Sequence, residues 1–329
     1  MPVYVVTGAN RGLGLEFVRQ LSQSTDNTVL ACVRSSSSDL ADLKQAYKPN
    51  ESNTHVLHCN TGDLSSIQSF AKEVQKTLGG DRKIEFLINN AAVNSKPEQT
   101  SLSIGPDDLT NEIRINVLGP AKTTEFLLAE GVLAKTARIV NLSSGLGSMA
   151  VSLGIMPRKC ATYSISKGAL NSLTVQQSGE LREEGKLGPK CVVISIVRSW
   201  LGQDSHGGEG AILEPKESIG GMLKAIHGLG EGDNGKFYTY TGKEVPCIKL
   251  LPVSRSAVEL KSSVFFSLLD LADADPDKAM SDDLPHPLTE PVKDGMPARP
   301  TPALDRDGHP TTALAHTAFL EPIERACRT

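Results

Sequence analysis

Tyr163 and Lys167 stand four residues apart in the run Tyr163-Ser164-Ile165-Ser166-Lys167. On a helix they share one face, about one turn apart. A free phenol titrates near ~10 and is a poor acid at neutral pH. An ammonium beside it stabilises the phenolate and lowers that value. Bringing it to about 7 takes about 4 kcal/mol, which a unit charge at ~4 Å supplies in a medium of effective dielectric ~20. The pair can therefore form a tuned acid without a metal. Such pairs also decorate solvated helix faces, so the rest of the chain must place it.

Other polar residues of interest follow short β-rich runs. Residues 3–6 are a strand, followed at once by Thr7-Gly8-Ala9-Asn10-Arg11-Gly12-Leu13-Gly14 and a helix over 15–21. A strand, a glycine turn and a helix start form a phosphate cradle: backbone N–H groups approach a pyrophosphate, and the helix N-terminus favours its charge. A second strand over 28–33 ends at Arg34, where an arginine accommodates a ribose 2′-phosphate and an acid would bind a free hydroxyl. Arg11 adds a second positive charge, so the expected cofactor is NADP(H) rather than NAD.

Helical periodicity at Leu40, Leu43 and Ala46 precedes a strand over 55–59, and an amphipathic helix spans 65–78. A strand over 84–88 ends in Asn89-Asn90-Ala91-Ala92, a long helix over 109–130 carries Asn116, and a strand over 138–142 ends in Ser143-Ser144. The helix of Tyr163 and Lys167 follows, then a strand over 191–197, a helix over 215–229 and a strand over 236–240. This alternation indicates one α/β domain of Rossmann type, a doubly wound parallel sheet with helices on both faces. Ligands of such sheets sit outside the carboxyl ends of the strands, where Gly8, Arg34, Asn90 and Ser144 converge.

At 329 residues, net charge −4 and 4% aromatic content, nothing favours nucleic-acid binding, which asks for basic excess and stacking platforms. The six cysteines are scattered without a C-x-x-C pair, so neither metal nor disulfide is expected, and a cytoplasmic setting is. No apolar run reaches the ~18 residues of a membrane span, and a strand at Val3 leaves no room for a signal peptide.

Thr7-Gly-Ala-Asn-Arg-Gly-Leu-Gly14, Asn89-Asn-Ala-Ala92, Asn116, Val140-Asn-Leu-Ser-Ser144 and Tyr163-x-x-x-Lys167 together resemble the short-chain dehydrogenase/reductase family, in order and spacing from Pro2 to about Val245. The segment from Gly235 to Pro246 is most similar to the C-factor/sniffer-like branch, whose members resemble carbonyl reductases. The resemblance implies that Tyr163 protonates a carbonyl oxygen as hydride arrives from the nicotinamide. Lys167 would lower the phenol's pKa and hold the nicotinamide ribose. Ser144 would polarise the carbonyl, with Ser143 as its competitor, and Asn116 would support a water that relays protons to Lys167. Thr7, Gly8, Arg11, Gly12, Leu13, Gly14, Arg34, Asn60, Asp63, Asn90, Tyr163, Lys167 and Leu201 are the expected cofactor contacts. The substrate would be a small-molecule carbonyl or alcohol. A homo-oligomer fits the family, which includes monomers, dimers and tetramers.

There are departures. Asn60 stands where the family has an aspartate that contacts adenine, with Asp63 a misregistered substitute, and Ala92 replaces a glycine. Arg198-Ser199 stands where the family shows Pro-Gly, and residues 203–210 suit either a mobile lid or a disordered loop. Residues between Ser144 and Tyr163 form an insertion expected to line the substrate pocket, with Cys160 a buried inert thiol. The dinucleotide-binding domain is expected over 1–252. The extension, 253–329, is expected to begin with an apolar helix over 257–272. A proline-rich, acidic and disordered tail then follows. The altered 198–203 stretch and this tail also fit a different class, a NADP(H)-binding, catalytically weak regulator or scaffold. The intact set Asn116, Ser144, Tyr163 and Lys167 favours the enzyme.

Overall fold

The computed structural model describes residues 1–197 and 213–247. Arg198-Ser199, Leu201, the 203–210 stretch and the whole extension lie outside the described residues.

Seven strands form one sheet in the order β3-β2-β1-β4-β5-β6-β7, every neighbouring pair parallel. They are β1 (Val3–Thr7), β2 (Thr28–Val33), β3 (Thr54–His58), β4 (Ile84–Asn89), β5 (Leu133–Leu142), β6 (Val192–Val197) and β7 (Phe237–Thr239). The order reverses between β1 and β4, and the crevice of a doubly wound sheet opens at such a reversal. Every residue of β1, β2 and β6 is buried, which explains their unbroken apolar runs: helices cover both faces.

The period-two alternation of β1 sorts its side chains between two cores. Tyr4 and Val6 join Phe17, Val18, Ile88, Ile219 and Ile226 on one face. Val3 and Val5 join Ile67, Phe70, Leu87, Leu127 and Ile139 on the other. The first core is covered by α1 (Gly12–Leu21), α2 (Ala41–Tyr47) and α8 (Pro215–His227), the second by α3 (Leu64–Leu78) and α5 (Gly119–Ala129).

The helix expected over 109–130 is interrupted. It begins earlier as α4 (Pro106–Ile113), with Pro106 in the first turn, where its missing N–H costs nothing. It then widens into a π-helical turn at Arg114–Leu118 before α5, and the Gly119 N–H reaches back five residues to the Arg114 carbonyl. β5 starts earlier than the expected 138: Lys135 and Thr136, both exposed, interrupt its first half and leave no unbroken apolar run to mark it. The insertion after β5 holds a short helix, α6 (Met149–Ser152), and leads into α7 (Ala161–Ser178), which carries Tyr163 and Lys167. Cys160 precedes α7 in a left-handed conformation, φ 56°, uncommon outside glycine. It is held there by its N–H to the Pro97 carbonyl at 2.9 Å and by its thiol, 3.3 Å from the same oxygen.

Candidate active site

A cavity of about 960 Å³ runs along the carboxyl ends of the central strands. Six of the seven strands deliver residues to it: Gly8 after β1, Arg34 after β2, Cys59 and Asn60 after β3, Asn90 after β4, Ser143 and Ser144 after β5, Val197 at the end of β6.

The glycine turn forms one end. Gly8 and Gly12 have positive φ (68° and 57°), which only glycine adopts without strain. Gly14 is needed for another reason: a methyl there would overlap the Gly8 carbonyl oxygen and come within 2.6 Å of Asn90 Nδ2. Asn90 pins the turn by donating from Nδ2 to the Thr7 carbonyl at 2.7 Å and the Gly8 carbonyl at 3.2 Å. Thr7 Oγ1 returns the contact, accepting the N–H groups of Asn90 and Ala91 at 3.0 Å each. The turn therefore presents backbone at the start of α1, as a pyrophosphate requires. Arg11 and Arg34, both exposed, flank it and suit a phosphate beyond the pyrophosphate.

Tyr163 and Lys167 lie on the opposite stretch of wall with Ser144. Both are buried, and Lys167 is 2% exposed. Lys167 Nζ donates to the Leu142 carbonyl at 2.7 Å and sits 5.5 Å from the centre of the Tyr163 ring. The phenol and ammonium thus share one side of α7 and one cavity. Ser144 Oγ accepts from Leu146 N at 3.2 Å, while Ser143 Oγ reaches the Lys167 carbonyl at 3.5 Å. A buried polar chain holds α7 to the sheet: Asn89 Nδ2 donates to Asn141 Oδ1 at 2.9 Å, and Asn141 Nδ2 to Thr174 Oγ1 at 2.9 Å.

The electrostatics differ from the sequence expectation. Burial pushes the Tyr163 phenol up, with Cys160 and Glu112 adding to the rise. Burial pushes Lys167 down to about 7, with Glu112 opposing. Desolvation is the largest cause of both shifts, and the ammonium donates to the Leu142 carbonyl. The phenol therefore keeps its proton at neutral pH, and the lysine is poised near it.

Of the expected cofactor contacts, Gly8, Arg11, Gly12, Leu13, Arg34, Asn60, Asn90, Tyr163 and Lys167 line the cavity. Thr7, Gly14 and Asp63 do not: the first two brace the turn from behind. Asp63 caps α3 instead, its Oδ1 accepting from Ser65 N at 2.9 Å and Ser66 N at 3.4 Å. Asn116 lies behind the wall, fully buried, accepting from Val93 N at 2.8 Å and donating to Val93 O at 2.8 Å and Ser166 Oγ at 3.0 Å. Its side-chain amide is committed to protein partners. Two neighbours went unnoticed in the sequence. Asp39, which lines the cavity, follows Arg34 in a serine run; Glu112 is an acid placed four residues before Asn116.

The short chain dehydrogenase family model matches residues 2–202. The chain belongs to this family. An uncharacterized oxidoreductase of Schizosaccharomyces pombe is 30% identical over 265 residues, covering 74% of this chain and 97% of that one. The NADPH-bound carbonyl reductase from chicken fatty liver superposes with a TM-score of 0.65 at 29% identity, covering 75% of this chain and 100% of that one. The carbonyl reductase Sniffer of Drosophila melanogaster gives 0.63 at 25% identity, covering 75% and 99%. As a short chain dehydrogenase the chain is an oxidoreductase, and its motifs from the glycine turn to Lys167 fall within the matched residues.

Proposed function

We propose that this short chain dehydrogenase is an NADPH-dependent reductase of small-molecule aldehydes or ketones. One observation carries the reading. Ser144, Tyr163 and Lys167 line the same cavity as a glycine turn flanked by two arginines. The residues present fit the cofactor: the turn offers backbone where a side chain would collide, and Arg11 and Arg34 offer charge for a 2′-phosphate. When bound, NADPH supplies the hydride. Ser144 Oγ donates to the substrate carbonyl oxygen and fixes its pose. Tyr163 transfers its phenolic proton to that oxygen as the carbonyl carbon gains the hydride, so that an alcohol forms and no proton is left over. Lys167 would hold the nicotinamide ribose, and its positive charge would favour the phenolate until Tyr163 is reprotonated.

A carbonyl panel followed by loss of NADPH absorbance tests the reading. Turnover is expected with NADPH and to be weaker with NADH. Binding of NADPH without turnover on any aldehyde, ketone or quinone would sink it.

A further inference from the structure

Glu112 on α4 and Asn116 in the turn after it are four residues apart and fully buried. Opposite them on α7 stand Thr162 and Ser166, likewise four apart and fully buried. Asn116 Nδ2 bonds to Ser166 Oγ at 3.0 Å. Glu112 is set against Thr162, whose hydroxyl approaches the carboxylate without the geometry of a hydrogen bond. On their other side the same two side chains clasp one wall of the cavity. Asn116 holds Val93 through both backbone groups, and Glu112 Oε1 accepts from Ser95 N at 2.6 Å. Asn116 was expected from the family resemblance; Glu112 was not.

Burying a carboxylate without a partner is costly. Glu112 forms no ion pair among the described residues, and its Oε2 has no hydrogen-bond partner. The titratable groups around it are Asp108, one turn back on α4, and Lys167 and Tyr163 on α7, with Cys160 beyond the tyrosine. Arg114 is engaged elsewhere, donating to the Gly62 carbonyl and to Asn111. Among the described residues Lys167 is thus the one cation within electrostatic reach, and it too is buried.

We propose that Glu112 is a positioning residue: it fixes the cavity wall through Ser95 and supplies a buried negative charge that favours the ammonium form of Lys167. Its catalytic consequence rests on the reductase reading; its effect on Lys167 does not. Burial pulls Lys167 down to about 7 while Glu112 pulls the other way, and the same carboxylate raises Tyr163. Removing the charge therefore lets both groups lose their protons at lower pH. The two titrate as a coupled pair, and both steps move in the same direction. Carbonyl reduction needs both protons in place, so its alkaline limb moves down as well.

The test is NMR of isotope-labelled lysine side chains, with the Lys167 signal assigned by its loss in Lys167→Met. Glu112→Gln keeps an oxygen for the Ser95 N–H and removes only the charge. The Lys167 midpoint is expected to fall by about one pH unit, the order a unit charge several ångströms away produces at an effective dielectric of ~20. The alkaline limb of kcat/KM for NADPH-dependent reduction should fall with it. Glu112→Asp, which keeps the charge, should retain most of the midpoint. In the wild type, labelled glutamate should show Glu112 taking up its proton in acid while the Lys167 signal inflects at the same pH, a measurement that needs no variant to fold. An unmoved midpoint in Glu112→Gln, equal shifts in the Gln and Asp variants, or a wild-type Lys167 signal indifferent to Glu112 would each overturn the proposal. Absence of turnover in the wild type would sink the reductase reading and leave the NMR result standing.

Discussion

Tyr163 is buried, keeps its proton at neutral pH and opens on the cavity. In the general-acid role proposed for it, such a group contributes about 10²–10⁴-fold. Tyr163→Phe removes the proton and almost nothing else, so kcat should fall by about 10³-fold while the NADPH Kd stays within a factor of ~2. Equal losses in binding and turnover would make the hydroxyl a structural group. The second residue-scale prediction concerns charge. Arg34 stands exposed beside the cavity, with Asp39 close by in sequence and on the same lining. Arg34→Glu would place two acids at the proposed 2′-phosphate site. It should lower the preference for NADPH over NADH by about tenfold or more, since one charge contact is worth at least ~1.4 kcal/mol. An unchanged ratio of the two Kd values would move the phosphate site elsewhere.

At the scale of elements, the loops matter as much as the helices they connect. The turn Gly145–Gly147 packs against α7 so closely that a methyl on Gly147 would lie 2.7 Å from the Lys167 carbonyl carbon and 2.8 Å from its oxygen. Those are backbone atoms, which cannot swing aside. Asn171 Nδ2, one helical turn on, donates to the Gly147 carbonyl at 3.1 Å. Gly147→Ala should therefore push α7 off the turn. A melting temperature lowered by several degrees, from ~1–3 kcal/mol of overpacking, and a kcat loss exceeding the KM change are expected. An unaltered kcat would show that α7 tolerates the displacement.

The same scale explains what the sequence could and could not reveal. Strand ends and the glycine turn were legible, because buried parallel strands are unbroken apolar runs and the residues at their tips are polar or small. The break at Arg114–Leu118 was not, since apolar periodicity passes through a widened turn without a marker residue such as proline. Asp63 was attractive as an adenine contact because only its type was visible. The structure spends it on capping α3, and brings Asn60 to the cavity instead. The tuning of the phenol was misjudged because sequence shows a charge beside a hydroxyl but not the Leu142 carbonyl that occupies that charge, nor the desolvation of both groups. Glu112 was missed because its importance lies in burial, which four-residue spacing alone does not disclose.

For the whole molecule, Lys167 is a liability that pH should expose. Its ammonium titrates near 7 when folded and near the ordinary lysine value of ~10.4 when unfolded. Below 7 both states carry the proton and the burial penalty is complete. Above 7 the folded protein sheds the proton first, so the unfolded chain binds more protons and stability rises with pH. The gain meets opposition as the ordinary thiol range is entered, because burial raises Cys32, Cys59 (to about 12) and Cys191 (to about 11). There the folded state retains protons that the unfolded chain has lost, and stability falls. His55 and His227, both lowered, act below the window. Between pH 7 and 8.5 the lysine is thus the dominant mover. Denaturant unfolding should give on the order of 1 kcal/mol more stability at the upper pH: the lysine, already half deprotonated at 7, contributes about 1.6 kcal/mol over the window, and the buried thiols take part of it back. Lys167→Met removes the titrating ammonium, which should flatten the dependence and abolish turnover. If the variant kept the full rise between pH 7 and 8.5, the proton lost there would belong to another group, and Lys167 would not be the residue whose charge the fold strains to keep.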